Sequence, residues 1–328
     1  MIKLEFQIEL LILTFAITIV LGMIVLPILK KLKVGQIERS DGPESHLKKQ
    51  GTPTMGGIII MLGIIIVTIG TYIYYSMKDV ALAQKLLPIL GLTIGFGIIG
   101  FIDDFKKLVL KNTDGLSPSL KMLGLLLISV IFVLYLVKGL GLGTETYIPI
   151  IKQYMEIPLF VYIPFAILVI LGTTNAVNLT DGIDGLSSSV CTIIITCLTV
   201  IATIFGVKEL VVFGAIVVGA VLAFLIFNIY PAKVFMGDTG SLFLGGVISG
   251  IALYLKMPLI LLVIAFIPVL ETISVILQVA SFKLTGKRIF KMAPIHHHFE
   301  LCGWKENHVV MIFSLITLMV SIIGLQIV

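Results

Sequence analysis

Charge is scarce in this sequence: only 12% of its 328 residues are Asp, Glu, Lys or Arg. Soluble domains average about 25%. With 58% of residues hydrophobic and a mean hydropathy of +1.16, the deficit excludes a soluble enzyme and a disordered chain. Cysteine is scarce as well. The three are Cys191, Cys197 and Cys302, and the first two lie inside one apolar run, so no disulfide framework is expected. Polar stretches long enough for a separate soluble domain are missing. No cleavable signal peptide is expected, because the first apolar run is too long for an h-region and lacks a small-residue cleavage site. The net charge of +5 would suggest nucleic acid in a soluble protein. Here its placement accounts for it, and no nucleic-acid partner is expected.

What the chain has is long apolar runs. They fall at about 6–29, 55–75, 86–102, 120–137, 158–175, 187–205, 209–229, 241–256, 258–281 and 308–326. Each is close to the roughly 20 residues that a spanning helix needs. The split between the eighth and ninth runs rests on Lys256, Met257 and Pro258. The pattern predicts an all-α integral membrane protein of about ten transmembrane helices, with residues 1–328 forming a single polytopic domain. Lysine and arginine set its orientation. The odd-numbered loops hold 16 of the 23, counting Lys121 with the third loop, and the even loops and N-terminal tail hold seven. The odd loops are therefore expected in the cytoplasm and both termini outside. Between the fourth and fifth spans, Gly139, Gly141 and Gly143 precede Thr-Glu-Thr-Tyr-Ile-Pro-Ile, which predicts a short periplasmic β-hairpin.

The polar residues with catalytic potential gather on the odd loops. The first loop carries Lys48, Lys49, Thr52 and Thr54 before Gly56-Gly57, a composition suited to an anion at a helix start. The third carries Asp103-Asp104, then Lys106, Lys107 and Lys111. Adjacent carboxylates at a membrane edge are costly unless solvated or holding a cation. Oxygen-only ligands suit Mg²⁺, and the lysines suit a phosphate. In the fifth loop Asn175, Asn178, Asp181 and Asp184 recur every three residues, so a helix there would align them on one face. The seventh runs from Asn228 through Phe235 to Asp238, Thr239 and Ser241. Asp238 is a candidate metal ligand or N-cap, and Phe235 a candidate stacking platform for a planar base. The ninth holds His296, His297 and His298, a weak zinc signal without Cys partners or H-E-x-x-H spacing. Within the ninth run, Pro268 should kink the helix, and Glu271 and Gln278 are intramembrane polar residues.

Carboxylates, lysines and amides on one face suit phosphoryl transfer, which depends mostly on positioning and charge neutralisation. A site at the membrane edge suggests one soluble phosphate-bearing substrate and one lipid. The competing reading is an ion-coupled transporter. Its ionisable residues should lie near the bilayer midplane on broken helices, and Glu271 is the one that fits. No internal repeat is evident.

Five segments carry a family resemblance: His46-Leu-Lys-Lys-Gln-Gly-Thr-Pro-Thr-Met-Gly-Gly57, Gly100-Phe-Ile-Asp-Asp-Phe-Lys106, Asn175-Ala-Val-Asn-Leu-Thr-Asp-Gly-Ile-Asp-Gly185, Phe235-Met-Gly-Asp-Thr-Gly-Ser241 and Pro294-Ile-His-His-His-Phe-Glu300. In content and order the chain resembles the bacterial phospho-N-acetylmuramoyl-pentapeptide transferase family (translocase I). That family belongs to the polyprenyl-phosphate N-acetylhexosamine-1-phosphate transferase superfamily. The triple histidine and the Thr-Pro-Thr-Met-Gly-Gly segment favour this branch over one using UDP-N-acetylglucosamine.

The resemblance implies a reaction of peptidoglycan biosynthesis: undecaprenyl phosphate and UDP-N-acetylmuramoyl-pentapeptide give lipid I and UMP. It also implies Mg²⁺, a homodimer, and a multi-pass protein of the bacterial inner membrane with its site facing the cytoplasm. By the same resemblance Asp238, then Asp181, are the expected metal ligands. Asp103 and Asp104 are expected to act on the lipid phosphate or assist the metal, with Asp103 favoured as base. Lys48, Lys107, Lys111 and Lys121 are expected at the phosphates. Thr52, Asn178, Asp184, Phe235 and Gln278 are expected at the nucleoside-sugar pocket, with Asn175 and Asn228 as further substrate-binding candidates. His296, His297 and His298 are expected near the phosphates or sugar.

Overall fold

The computed structural model describes residues 5–32, 49, 51–108 and 115–328. Lys48 and Lys111 lie outside the described residues. The described chain is helical apart from one hairpin. Its helices are α1 (Glu5–Lys31), α2 (Gly57–Ser76), α3 (Val80–Leu108) and α4 (Pro118–Leu134), the last continuing as a π-helical turn, Tyr135–Gly139. After the strands β1 (Glu145–Ile148) and β2 (Gln153–Glu156) come α5 (Leu159–Thr180), α6 (Leu186–Ile204), α7 (Lys208–Asn228) and α8 (Gly237–Tyr254). The chain ends with α9 (Phe266–Thr285), the short α10 (Ile295–Leu301) and α11 (Glu306–Ile327).

Nine of the described helices are long and apolar enough to cross a membrane. The protein is thus an all-α integral membrane protein. The eighth expected span, α8, is not among the nine. Its first turn, Gly237-Asp-Thr-Gly-Ser241, is polar, and every residue from Thr239 to Tyr254 is buried. It forms the centre of the bundle, packed against α3, α5, α2 and α6, and so sees protein where the outer helices see lipid.

Two other differences from the apolar runs have local causes. Helix α3 overshoots its run of 86–102 at both ends. Asp79 Oδ1 accepts the Leu82 N–H at its start (3.1 Å), and an i,i+4 pair, Asp103–Lys107, closes its end. The ninth run is broken. A 3-10 turn (Pro258–Ile260) and a single helical turn (Leu261–Ile264) precede α9, with the interruption at Ala265 (φ −98°, ψ 31°). Pro268 accounts for this position, because a proline ring collides with the carbonyl four residues back, here that of Ile264.

The hairpin pairs Glu145 with Glu156 and Ile148 with Gln153. Its Tyr147 accounts for much of its attachment. The Tyr147 N–H donates to Lys256 O (2.7 Å) and the hydroxyl to Val328 O (3.0 Å). At the start of the chain Phe6 stacks on Tyr74, at the far end of α2 (5.1 Å between ring centroids). Both ends of the described chain therefore lie with the even loops, and the odd loops meet at the opposite end.

Candidate active site

The acidic centre arises where α3 crosses the start of α8. A Cβ on Gly100 would overlap the carbonyl of Asp238, and one on Gly57 would overlap the backbone of Gly240. Glycine at these positions lets α3 and α2 press directly on the first turn of α8. The segment before α2 is stitched to the same turn. Phe235 N–H donates to Pro53 O (2.8 Å), Gly56 N–H to Phe235 O (2.8 Å) and Gly57 N–H to Met236 O (2.9 Å).

One turn beyond Gly100, Asp103 and Asp104 reach the α8 N-terminus. Asp104 is buried. Its carboxylate accepts the N–H groups of Asp238 (3.2 Å) and Thr239 (2.9 Å) and the Thr239 hydroxyl (2.7 Å). A helix start has N–H groups without intrahelical partners, and here a carboxylate from another helix satisfies two of them. Asp238 is not the N-cap that its sequence context allowed. Met236 holds that position, which leaves the Asp238 carboxylate to face the site. Its Oδ1 accepts from Asn178 Nδ2 (2.8 Å), and its Oδ2 from Lys121 Nζ (2.6 Å) and Lys107 Nζ (3.4 Å). Lys107 also donates to Asp103 Oδ2 (2.5 Å), and Asp103 Oδ1 accepts the Leu116 N–H (2.8 Å).

One oxygen each from Asp103, Asp104 and Asp238 lies within 4.8 Å of the others. Three carboxylates so close repel one another, and the ammonium groups of Lys107 and Lys121 offset that charge. Oxygen-only donors match the chemistry of Mg²⁺, which takes one or two carboxylates, fewer than the three here, and completes its shell with water and phosphate. The donor set thus fits a hard divalent cation.

Asp181 stands beside this group. Helix α5 ends at Thr180, so Asp181 is its C-cap and Asp184 lies in the turn beyond. The single helical face expected for Asn175, Asn178, Asp181 and Asp184 therefore stops after its second member. Asn178 reaches Asp238 and Ser241 (2.8 Å each), while Asn175 donates back to Leu171 O (2.7 Å). Burial, then the carboxylates of Asp238 and Asp104, push the Asp181 carboxyl up to about 8, although the Gly237 N–H partly opposes the shift.

Asp184 belongs to a second cluster. It is buried, with Oδ1 accepting from Lys49 Nζ (2.7 Å) and Oδ2 from the Ala232 N–H (2.9 Å). Lys49 also pairs with Glu306. Its Nζ lies 6.0 Å from the ring centroids of both Tyr230 and Phe235. Thr52 joins this region through its N–H to Lys49 O (3.0 Å). Asn228 and Gln278, expected at the substrate, give their amides to protein. Asn228 Oδ1 accepts from Ser188 Oγ (2.6 Å), and its Nδ2 donates to Val234 O (3.0 Å). Gln278 Oε1 accepts the N–H groups of Ile289 and Phe290 (3.0 Å each), and its Nε2 donates to Phe290 O (2.9 Å).

The histidines sit on helix α10, the His296 and His297 rings 4.1 Å apart between centroids, and each has a different polar partner. His296 is fully buried, with Nδ1 3.0 Å from Glu271 Oε1 and its ring against Gly182, where a Cβ would overlap it. His297 Nδ1 pairs with Glu300 Oε2 (2.9 Å). His298 Nδ1 accepts the Lys291 N–H (3.1 Å). Glu271, the best candidate for a transporter, is thus joined to the loop of the site rather than to a second ionisable group along the span.

Several residues of these clusters escaped the sequence reading. Thr239 was visible only as a hydroxyl at a helix start, and Lys49 only as one of a lysine pair. Glu306 had one signal, a carboxylate at the beginning of the last apolar run.

Residues 86–256, which include most of this carboxylate and lysine cluster at one end of the membrane bundle, match the model of Glycosyl transferase family 4, and the protein is a membrane transferase. Residues 49–61 match Phospho-N-acetylmuramoyl-pentapeptide-transferase signature 1. The chain is 48% identical to the phospho-N-acetylmuramoyl-pentapeptide-transferase of Acetivibrio thermocellus, across 95% of this chain and 92% of that protein. It is 49% identical to the one from Clostridium botulinum (strain Alaska E43 / Type E3), across 94% and 93%. For Halalkalibacterium halodurans the identity is 47%, across 96% and 95%. The chain belongs to the phospho-N-acetylmuramoyl-pentapeptide-transferase family.

Proposed function

We propose that this protein transfers phospho-N-acetylmuramoyl-pentapeptide from UDP-N-acetylmuramoyl-pentapeptide to undecaprenyl phosphate, giving lipid I and UMP. An oxygen of the lipid phosphate forms a bond to the sugar-linked phosphorus. The bond from that phosphorus to the bridging oxygen breaks, and UMP leaves with the electron pair. The observation that carries this reading is the convergence on Asp238 of Asn178, Lys107 and Lys121 beside Asp103 and Asp104. With a cation bound, such a centre would neutralise phosphate charge, and the transfer needs no protein nucleophile.

Asp238, with Asp103 and Asp104 as the nearest further oxygen donors, is the proposed holder of Mg²⁺, and Asp181 lies alongside. When bound, the ion would neutralise charge on the diphosphate. Lys107 and Lys121 hold the carboxylates together before substrate arrives and then offer their N–H groups to phosphate oxygens. Asp103 is tied to Lys107 and to the Leu116 N–H. A lipid phosphate is largely ionised at neutral pH, so Asp103 acts here by placing Lys107 rather than by removing a proton. Phe235, Lys49 and Asp184 form the nucleoside end of the site, while Asn228 and Gln278 hold its loops. The cytoplasmic orientation, inner-membrane location and homodimer belong to the same proposal, the first supported by the lysine bias of the odd loops.

The test is UMP release by detergent-purified protein given both substrates, with and without Mg²⁺. Metal-dependent release requiring both substrates is expected. Release from UDP-N-acetylglucosamine in place of the muramoyl-pentapeptide nucleotide would assign the protein to the other sugar branch.

A further inference from the structure

The Lys49 cluster contains one residue that none of this chemistry uses. Glu306 begins α11, outside residues 86–256 and 49–61 that match the family and its signature. It is buried, yet it reaches two separate segments directly and a third through Asp184. Its Oε1 accepts from Lys49 Nζ and from the Asp184 N–H (2.6 Å). Asp184 in turn takes Lys49 on Oδ1 and the Ala232 N–H on Oδ2. Two linked carboxylates, Glu306 and Asp184, thereby tie the segment before α2, the turn after α5 and the loop after α7 to the start of the last helix. Each of those segments leads directly into candidate site residues: Thr52, Asp181, and Phe235 with Asp238.

Lys49 shows what this arrangement fixes. Its side chain is only 13% exposed, and a long buried ammonium needs partners on every side that water has left. Two of its N–H groups go to Asp184 and Glu306. Its Nζ is thereby held 6.0 Å from the centroids of both the Tyr230 and Phe235 rings, with a third N–H beyond the two given to these carboxylates. A planar ring lying on Phe235 would lie beside this ammonium.

We infer that Glu306 is a positioning residue for the nucleotide end of the site, acting through Lys49 and Asp184 rather than by touching substrate. This rests on the transferase reading for the identity of the nucleotide but not for the contact itself. The test is UMP binding by titration calorimetry to detergent-purified wild type, Glu306→Ala and Glu306→Gln, with thermal unfolding recorded for each. Losing hydrogen bonds to a charged, buried group should weaken UMP binding of Glu306→Ala about tenfold or more. Glu306→Gln retains the accepting oxygen and should stay within about threefold. KM for undecaprenyl phosphate should not move. If Glu306→Ala does not fold, Glu306→Asp, one methylene short of both donors, should show the same loss. UMP binding within twofold of wild type in a folded Ala or Asp variant would overturn the inference. So would an equal loss for nucleotide and lipid, or a wild type that does not bind UMP. A wild type that binds UMP but releases none from the two substrates would instead defeat the transferase reading, and the binding comparison would still decide the role of Glu306.

Discussion

The Asp104 carboxylate caps the helix that carries Asp238 through Thr239, accepting both its N–H (2.9 Å) and its hydroxyl (2.7 Å). Of two adjacent aspartates with the same sequence context, one is therefore spent on a helix terminus and the other on a lysine. Thr239→Val removes the hydroxyl donor and keeps the shape. It should cost about 1 kcal/mol, the usual size of a single such hydrogen bond, and lower the unfolding temperature in detergent. Asp104→Asn should be worse in both stability and turnover, because its amide cannot accept on both sides. An Asp104→Asn protein with normal stability would remove the capping role.

Asp238→Asn tests the centre itself. Substitution keeps the volume and the contact to Asn178 but removes the charge that Lys107 and Lys121 share. Turnover should fall by about 100-fold or more, the scale seen when one preorganised charge-stabilising group is lost. The thermal unfolding profile should show a folded protein. UMP release near the wild-type rate would displace Asp238 from the chemistry.

Gly100→Ala probes the close crossing. A methyl group there overlaps the Asp238 carbonyl, so α3 and α8 must move apart. Overpacking of this kind costs about 1–3 kcal/mol, and a shift of even an ångström should break the Asp104 cap. Activity should fall more than stability, measured as UMP release against unfolding temperature. Gly70→Ala, inside α2 where no atom is within reach, is the control and should leave activity unchanged without lowering the unfolding temperature.

The pH dependence follows from Asp181. Its ordinary value is 3.8, and burial with neighbouring carboxylates raises it to about 8. Between these values the folded protein holds a proton that the unfolded chain has lost. Stability without metal should therefore fall as pH rises from about 4 to about 8, the sign required when the folded state binds more protons. Asp181→Asn should flatten that slope. Unfolding temperatures measured in chelator across this range would show it, and a wild-type profile rising with pH through the same window would contradict it.

The amino-acid sequence by itself determined the solvent of this protein and the end at which its chemistry lies. Runs of about 20 apolar residues leave the backbone no alternative to helices in lipid. The motif residues Asp103, Asn178, Asp238 and His296 all stand at odd-loop ends of those runs, so their shared face was legible before any contact was known. Only the tertiary structure decided their partners. Asp104 and Thr239 are separated by 135 residues, Lys49 and Glu306 by 257, and local periodicity reports nothing across such distances. Three-residue spacing grouped Asp184 with Asn178, but α5 stops at Thr180 and the next turn hands Asp184 to Lys49 and Ala232. Hydropathy likewise read α8 as one more span. It is enclosed because Gly57 and Gly100 let two neighbouring helices close over its polar first turn, and that closure sets Asp238 among Asp103, Asp104 and two lysines.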